Sequence, residues 1–89
     1  MKYIKKFGDF EVYQRGKNDF LVKNKNGRYE HHSHVSSRDA AMVVANVAHR
    51  QTIPKTKSPY LVTSIIRVVT DEEHINRLQE YKNSLLEKK

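Results

Sequence analysis

Two short alternating segments, separated by a glycine-containing break, constrain the fold of this chain more than any other feature. Apolar and polar residues alternate in FEVYQR (10–15), and the alternation resumes in DFLVKN (19–24) after GKN at 16–18. A period of two is typical of strands with one buried face. A three-residue connection pairs Val12 with Val22 and Glu11 with Lys23, so that apolar side chains share one face and opposite charges share the other. The two segments therefore predict an antiparallel hairpin.

A second turn signal extends this hairpin into a meander. Asn26-Gly27 is typical of a two-residue type I′ turn, because both central positions of that turn need a positive φ. The turn predicts a third strand over about 28–34, with Glu30 opposite Lys23 and His31 opposite Val22. The charged face would then carry a Glu11–Lys23–Glu30 ladder. The segment KYIKKF (2–7) has the composition of an additional strand before the meander.

The rest of the chain has helical patterns. Ser36 or Ser37 can cap a helix over about 37–50, and Asp39 stands at capping-box spacing from Ser36. The segment 59–69 has helical spacing and a Ser58-Pro59 start, which favour a helix, whereas its β-branched residues favour a strand. A last helix is predicted over 71–86. The expected α+β fold is a three-stranded antiparallel meander followed by two or three helices packed on one face, β-β-β-α-α-α, with β-β-β-α-β-α as the alternative.

Length and charge narrow the function classes. A chain of 89 residues is expected to form one domain, 1–89, and it contains no cysteine. It shows no secretory signal and no apolar run long enough to span a membrane, so we expect a cytoplasmic protein without a membrane partner. The net charge of +7 comes wholly from the first 57 residues. A one-sided basic excess indicates a polyanionic partner, most often DNA or RNA.

The basic residues that could contact phosphates lie on the predicted sheet and in a basic segment after the first helix. Tyr13 lies among them and could stack on a base. The predicted nucleic-acid-binding residues are Tyr13, Arg15, Lys17, Lys23, Lys25, Arg28, Arg50, Lys55 and Lys57.

The three histidines of His31-His32-Ser33-His34 could serve three purposes. His32 and His34 would project from one face of a strand, a spacing that can chelate a transition metal, but four ligands are not evident and we expect no metal and no cofactor. Paired imidazoles could also act as general base and general acid in RNA cleavage, with Asp19 orienting His34. The third interpretation is structural: His31 points toward the helical layer, and His32 and His34 point outward.

The sequence has no glycine-rich phosphate loop, no carboxylate pair at catalytic spacing and no nucleophile motif. We therefore expect a small, basic, non-enzymatic nucleic-acid-binding module, and its composition is typical of phage or mobile-element proteins. One alternative is an interaction or inhibitor module that binds an acidic surface of a host protein. A second alternative is a His-dependent ribonuclease. The apolar residues of the C-terminal third are compatible with a monomer or with a homodimer through the C-terminal helices.

Overall fold

The computed structural model describes residues 1–28 and 31–87, and it contains one four-stranded antiparallel sheet and three helices. The strands are β1 (Lys2–Phe7), β2 (Phe10–Gly16), β3 (Asp19–Asn24) and β4 (His32–Val35), in the spatial order β1-β2-β3-β4. The helices are α1 (Arg38–Arg50), α2 (Pro59–Val68) and α3 (Glu72–Glu87). The α+β class is confirmed, with β1 as a fourth strand added to the predicted meander. None of these helices is long and apolar enough to cross a membrane.

The β2–β3 hairpin has the predicted register. Val12 pairs with Val22 and Glu11 pairs with Lys23. The β1–β2 connection is tighter, because Phe7 pairs with Phe10 across the two-residue loop Gly8-Asp9. Gly8 has a φ of 60°, and a positive φ at the first loop position alone is the pattern of a type II′ turn.

The predicted β3–β4 register is wrong by two residues. Val22 pairs with Ser33 instead of His31, and Lys23 pairs with His32 instead of Glu30. Asn26 and Gly27 do not have the positive φ values that a type I′ turn needs. The predicted positions of Tyr29 and Glu30 lie outside the described residues. Because side chains alternate with a period of two, a shift of two residues leaves each side chain of β4 on its predicted face.

Asn24 begins a turn over Lys25-Asn26 in place of one at Asn26-Gly27, and its carbonyl oxygen accepts the Gly27 N–H at 3.1 Å. Its side-chain amide is buried and donates a hydrogen bond of 2.8 Å to the carbonyl oxygen of Val68, at the end of α2. Its side-chain oxygen accepts the backbone N–H of Asn26 at 3.0 Å, which turns the chain locally. Gly27 is needed for space, since a Cβ there would lie 2.6 Å from the Cβ of His31.

Serine caps begin the first two helices. The side chain of Ser37, and not that of Ser36, accepts the backbone N–H of Ala40 at 3.1 Å and caps α1. Ser58 accepts the N–H of Leu61 and Pro59 occupies the first turn of α2. These residues favour a helix because the cap accepts a free N–H and proline lacks one. Residues 59–68 are therefore a helix, and the strand alternative is wrong.

The helical layer covers one face of the sheet. Helices α1 and α2 pack against the sheet, and α3 packs mainly against α2. The core contains side chains from the sheet, such as Val12 and Val22, together with Val44, Ile65 and Leu78 from the helices. Most apolar residues of the C-terminal third belong to this core, although Tyr60 and Leu86 remain exposed.

Candidate nucleic-acid interface

The sheet face opposite the helices carries two rows of side chains. We call it the open face. The first row runs across the four strands as Lys6, Glu11, Lys23 and His32. The second row runs as Tyr3, Tyr13, Leu21 and His34. Neighbouring strands lie about 4.8 Å apart, so each row spans roughly 14 Å. Arg15 lies on the same face, beyond the second row.

The first row has a different charge from the predicted ladder. The sequence predicts Glu11–Lys23–Glu30, in which two carboxylates neutralise one lysine. In the structure Lys6 and Lys23 stand on either side of Glu11, and His32 is the neighbour of Lys23 on β4. Two permanent positive charges therefore oppose one negative charge across the middle of the sheet. This arrangement is more favourable for a polyanion than the predicted ladder.

The second row is aromatic and apolar. The rings of Tyr3 and Tyr13 contact each other edge to face, with their centroids 5.7 Å apart. Tyr3 is about half exposed, at 51% of its accessible area. It points away from the helical layer and therefore does not pack in the core. Partial burial raises the pKa of Tyr13 above its ordinary value, and the nearby Glu11 carboxylate raises that pKa further. Tyr13 is therefore a neutral ring over the physiological pH range.

At the β4 side of the open face, one imidazole nitrogen lies between opposite charges. The Nδ1 atom of His34 is 3.3 Å from Nη1 of Arg15 and 3.6 Å from Oδ1 of Asp19. The Nε atom of Arg15 is 3.8 Å from the other Asp19 oxygen. The predicted register places Asp19 directly opposite His34. In the structure Leu21 is opposite His34, and Asp19 is a diagonal neighbour of His34.

These side chains surround a shallow depression of about 470 Å³. Its lining combines two apolar side chains, the exposed Met1 and the largely buried Leu21, with cationic and imidazole side chains. The lining residues are Met1, Arg15, Leu21, Lys23, His32 and His34. A planar or apolar group could contact Met1 and Leu21 while an attached anionic group contacts Arg15 or Lys23.

The histidine cluster agrees only in part with its structural interpretation. His32 and His34 do share the open face, and their rings contact each other edge to face with centroids 5.2 Å apart. His31 does not pack on the helical layer as predicted. It precedes β4, and its Nδ1 accepts the backbone N–H of Arg28 at 2.8 Å, so it stabilises the loop. Ser33 takes the buried position that was predicted for His31.

The predicted binding residues separate into three groups. Tyr13, Arg15 and Lys23 lie on the open face, and Lys17 lies in the β2–β3 turn beside it. Lys25 and Arg28 belong to the β3–β4 loop at the other end of the sheet, where the Lys25 N–H donates to the Asp9 carbonyl at 2.7 Å. The remaining group belongs to the helical side: Arg50 ends α1, and Lys55 and Lys57 lie between α1 and α2.

The prediction omitted Tyr3, Lys6 and the two histidines of the depression. The first two belong to β1, whose alternation is interrupted by a bulge between Tyr3 and Lys5, so that strand gave a weak sequence signal. In the described part of the chain, no three His, Asp or Glu side chains converge as a metal site would require.

Comparison with known proteins finds no matching family model, no matching curated protein and no matching solved structure.

Proposed function

We propose that this chain binds single-stranded nucleic acid on the open face of its sheet. The observation that carries the proposal is the row Tyr3–Tyr13–Leu21–His34 beside the row Lys6–Glu11–Lys23–His32, on a face that the helices leave uncovered. Sheets that bind single strands stack bases on aromatic side chains and hold the phosphates with neighbouring cations. The two rows supply both elements side by side. An origin in a phage or mobile element stays a prediction from composition.

The geometry favours a single strand over a duplex. A tyrosine can stack on a base only when that base is free of its neighbours, as it is in single strands and loops. Tyr3 and Tyr13 lie within the sheet surface, whereas a duplex would meet mainly the ends of long basic side chains. The exposed aromatic ring of Tyr3 would then have no role in binding.

Replacement of the tyrosines separates stacking from charge. We expect Tyr13→Ala to weaken binding of a fluorescent 12-nucleotide oligo(dT) by about 5-fold to 150-fold, which corresponds to about 1–3 kcal/mol for one stacked base. Tyr60→Ala is the matched control, because Tyr60 is 86% exposed on α2 and lies in the helical layer. Fluorescence anisotropy measures the affinity of both variants for the oligonucleotide. Equal affinities for the Tyr13 and Tyr60 variants would refute stacking on the open face.

Two double variants test whether the phosphates contact the open face or the α1–α2 loop. The Arg15→Gln/Lys23→Gln variant removes two charges from the open face, and the Lys55→Gln/Lys57→Gln variant removes two charges from the α1–α2 loop. The salt dependence of log K should fall by about 0.7 for each lost phosphate contact on a single strand, and therefore by about 1.4 in the first variant only. Equal losses in both variants would indicate general electrostatic attraction without a site.

The paired imidazoles support a second candidate function, RNA cleavage. His32 and His34 lie on the proposed binding face with their rings 5.2 Å apart, and Arg15 is beside His34. One imidazole would accept the proton of a ribose 2′-hydroxyl as it attacks the adjacent phosphorus, and the other would protonate the departing 5′-oxygen. Time-dependent loss of oligo(U), absent in the His32→Gln/His34→Gln variant, would establish this activity. Intact oligo(U) after prolonged incubation with excess protein would exclude it.

A further inference from the structure

We infer that Arg15 and His34 form a phosphate subsite in which binding of the nucleic acid is coupled to protonation of the imidazole. The inference rests on the proposed function, because it names the part of the open face that holds a phosphate and what regulates it. It follows from the position of a single nitrogen atom, Nδ1 of His34, between a donor and an acceptor.

When His34 is neutral, its Nδ1 atom can only accept from Arg15. A guanidinium group has donors and no acceptor, so the 3.3 Å contact requires a lone pair on Nδ1 and places the ring proton on Nε2. In this state the imidazole occupies one of the Arg15 donors. Asp19 lies 3.6 Å from Nδ1 and gains no hydrogen bond from it.

When His34 is protonated, the same nitrogen carries a hydrogen and must change partner. An imidazolium N–H repels the guanidinium of Arg15 and is attracted to the Asp19 carboxylate, which is within 0.3 Å of the same distance. Arg15 then loses its neutral partner and also competes with His34 for Asp19, to which its Nε lies at 3.8 Å. The guanidinium is left with donors that a phosphate can accept in a two-pronged arrangement.

The groups around His34 fix the sign of the coupling. Among the described residues around His34, Arg15 on β2 and Lys23 on β3 oppose a positive charge on the ring in the free protein, the imidazole of His32 is adjacent, and Asp19 favours that charge. Helices α1 and α2 contact β4 from the other side of the sheet. A bound phosphate adds negative charge to this cationic group, so the complex favours imidazolium more than the free protein does. Binding therefore takes up a proton.

Imidazole changes its charge between about pH 5 and pH 8, so the coupling acts in the physiological range. By linkage, if binding takes up one proton, log K for the nucleic acid decreases by up to about one unit for each unit by which the pH rises. We expect affinity for a single strand to fall about 3-fold to 10-fold between pH 6 and pH 8 at constant ionic strength. A basic surface without this cluster would show almost no change over that range.

The test measures the affinity for fluorescent oligo(dT) from pH 5.5 to 8.5 at fixed ionic strength. Four proteins are compared: the wild type, His34→Gln, Asp19→Asn and the control His49→Gln, which changes an exposed histidine at the end of α1. The wild type and His49→Gln should show the same dependence of affinity on pH. His34→Gln should bind with little dependence on pH, and Asp19→Asn should move the dependence to lower pH, because the imidazolium has lost the negative charge of its partner. Circular dichroism confirms that each variant is folded.

Calorimetry gives an independent readout of proton uptake. The enthalpy of binding, measured at pH 7 in buffers with different ionisation enthalpies, should report a positive number of protons for the wild type and almost none for His34→Gln. Affinity that does not vary with pH in the wild type would overturn the coupling and leave the proposed function standing. The same pH dependence in His34→Gln would overturn the assignment to His34. No binding to oligo(dT) or oligo(U) at any pH would overturn the proposed function itself.

Discussion

Asn24 connects three parts of the fold, and its replacement by alanine should be among the most destabilising changes outside the apolar core. Its side chain is 4% exposed, and its amide donates to the Val68 carbonyl at 2.8 Å. Its oxygen accepts the Asn26 N–H at 3.0 Å. Alanine removes both bonds and leaves a carbonyl in the interior, at the end of α2, without this donor.

The magnitude follows from the two bonds. A buried polar group that loses its partner costs about 1–3 kcal/mol, and the turn hydrogen bond contributes about 0.5–1.5 kcal/mol, so we expect Asn24→Ala to lower the free energy of unfolding by about 2–4 kcal/mol. For a domain of this size that corresponds to a decrease in Tm of roughly 8–30 °C.

Urea unfolding followed by circular dichroism measures the loss. The control is Asn26→Ala, which keeps the backbone N–H and removes only an exposed bond of 2.6 Å to Asp9. Because both partners of that bond can hydrogen-bond to water, the control should lose no more than about 1 kcal/mol. Similar losses in the Asn24 and Asn26 variants would refute the idea that the Asn24 side chain fixes the end of β3 against α2.

Three further results are expected. Ser37→Ala should lower the free energy of unfolding by about 1 kcal/mol, because it removes the N-cap of α1, and Ser36→Ala should change it little. Ser33→Ala should cost about 1–2 kcal/mol in thermal or urea unfolding, because the buried hydroxyl donates to a carbonyl of α2. In an ultraviolet titration of phenolate, Tyr13→Phe should remove a tyrosine that ionises above its ordinary pKa, and Glu11→Gln should lower that pKa. Since folding raises the pKa of Tyr13, its contribution to stability is complete below about pH 10 and is lost as the pH rises through the higher folded value.

The sequence predicted those features that depend on neighbours along the chain. The alternation of 10–15 and 19–24 was sufficient to pair Val12 with Val22, and the Ser58-Pro59 start was sufficient to favour a helix in spite of β-branched residues. The turn after β3 could not be predicted in this way. The bond that holds Asn24 joins residues 44 positions apart, and a dipeptide signal such as Asn26-Gly27 carries no information about that contact.

The error in the β3–β4 register was harmless for the fold and decisive for the site. A shift of two residues leaves each side chain of β4 on the same face of the sheet, so the class of fold and the outward direction of His32 and His34 were predicted in spite of it. The neighbours across β3 and β4, however, changed. Lys23 stands beside His32, where the predicted ladder had the permanent negative charge of Glu30, and Leu21 stands beside His34. A carboxylate at that position would have repelled a phosphate, and an imidazole ring carries no such permanent negative charge. The binding properties of a sheet surface therefore depend on which residues pair across it, and alternation alone specifies only which residues reach that surface.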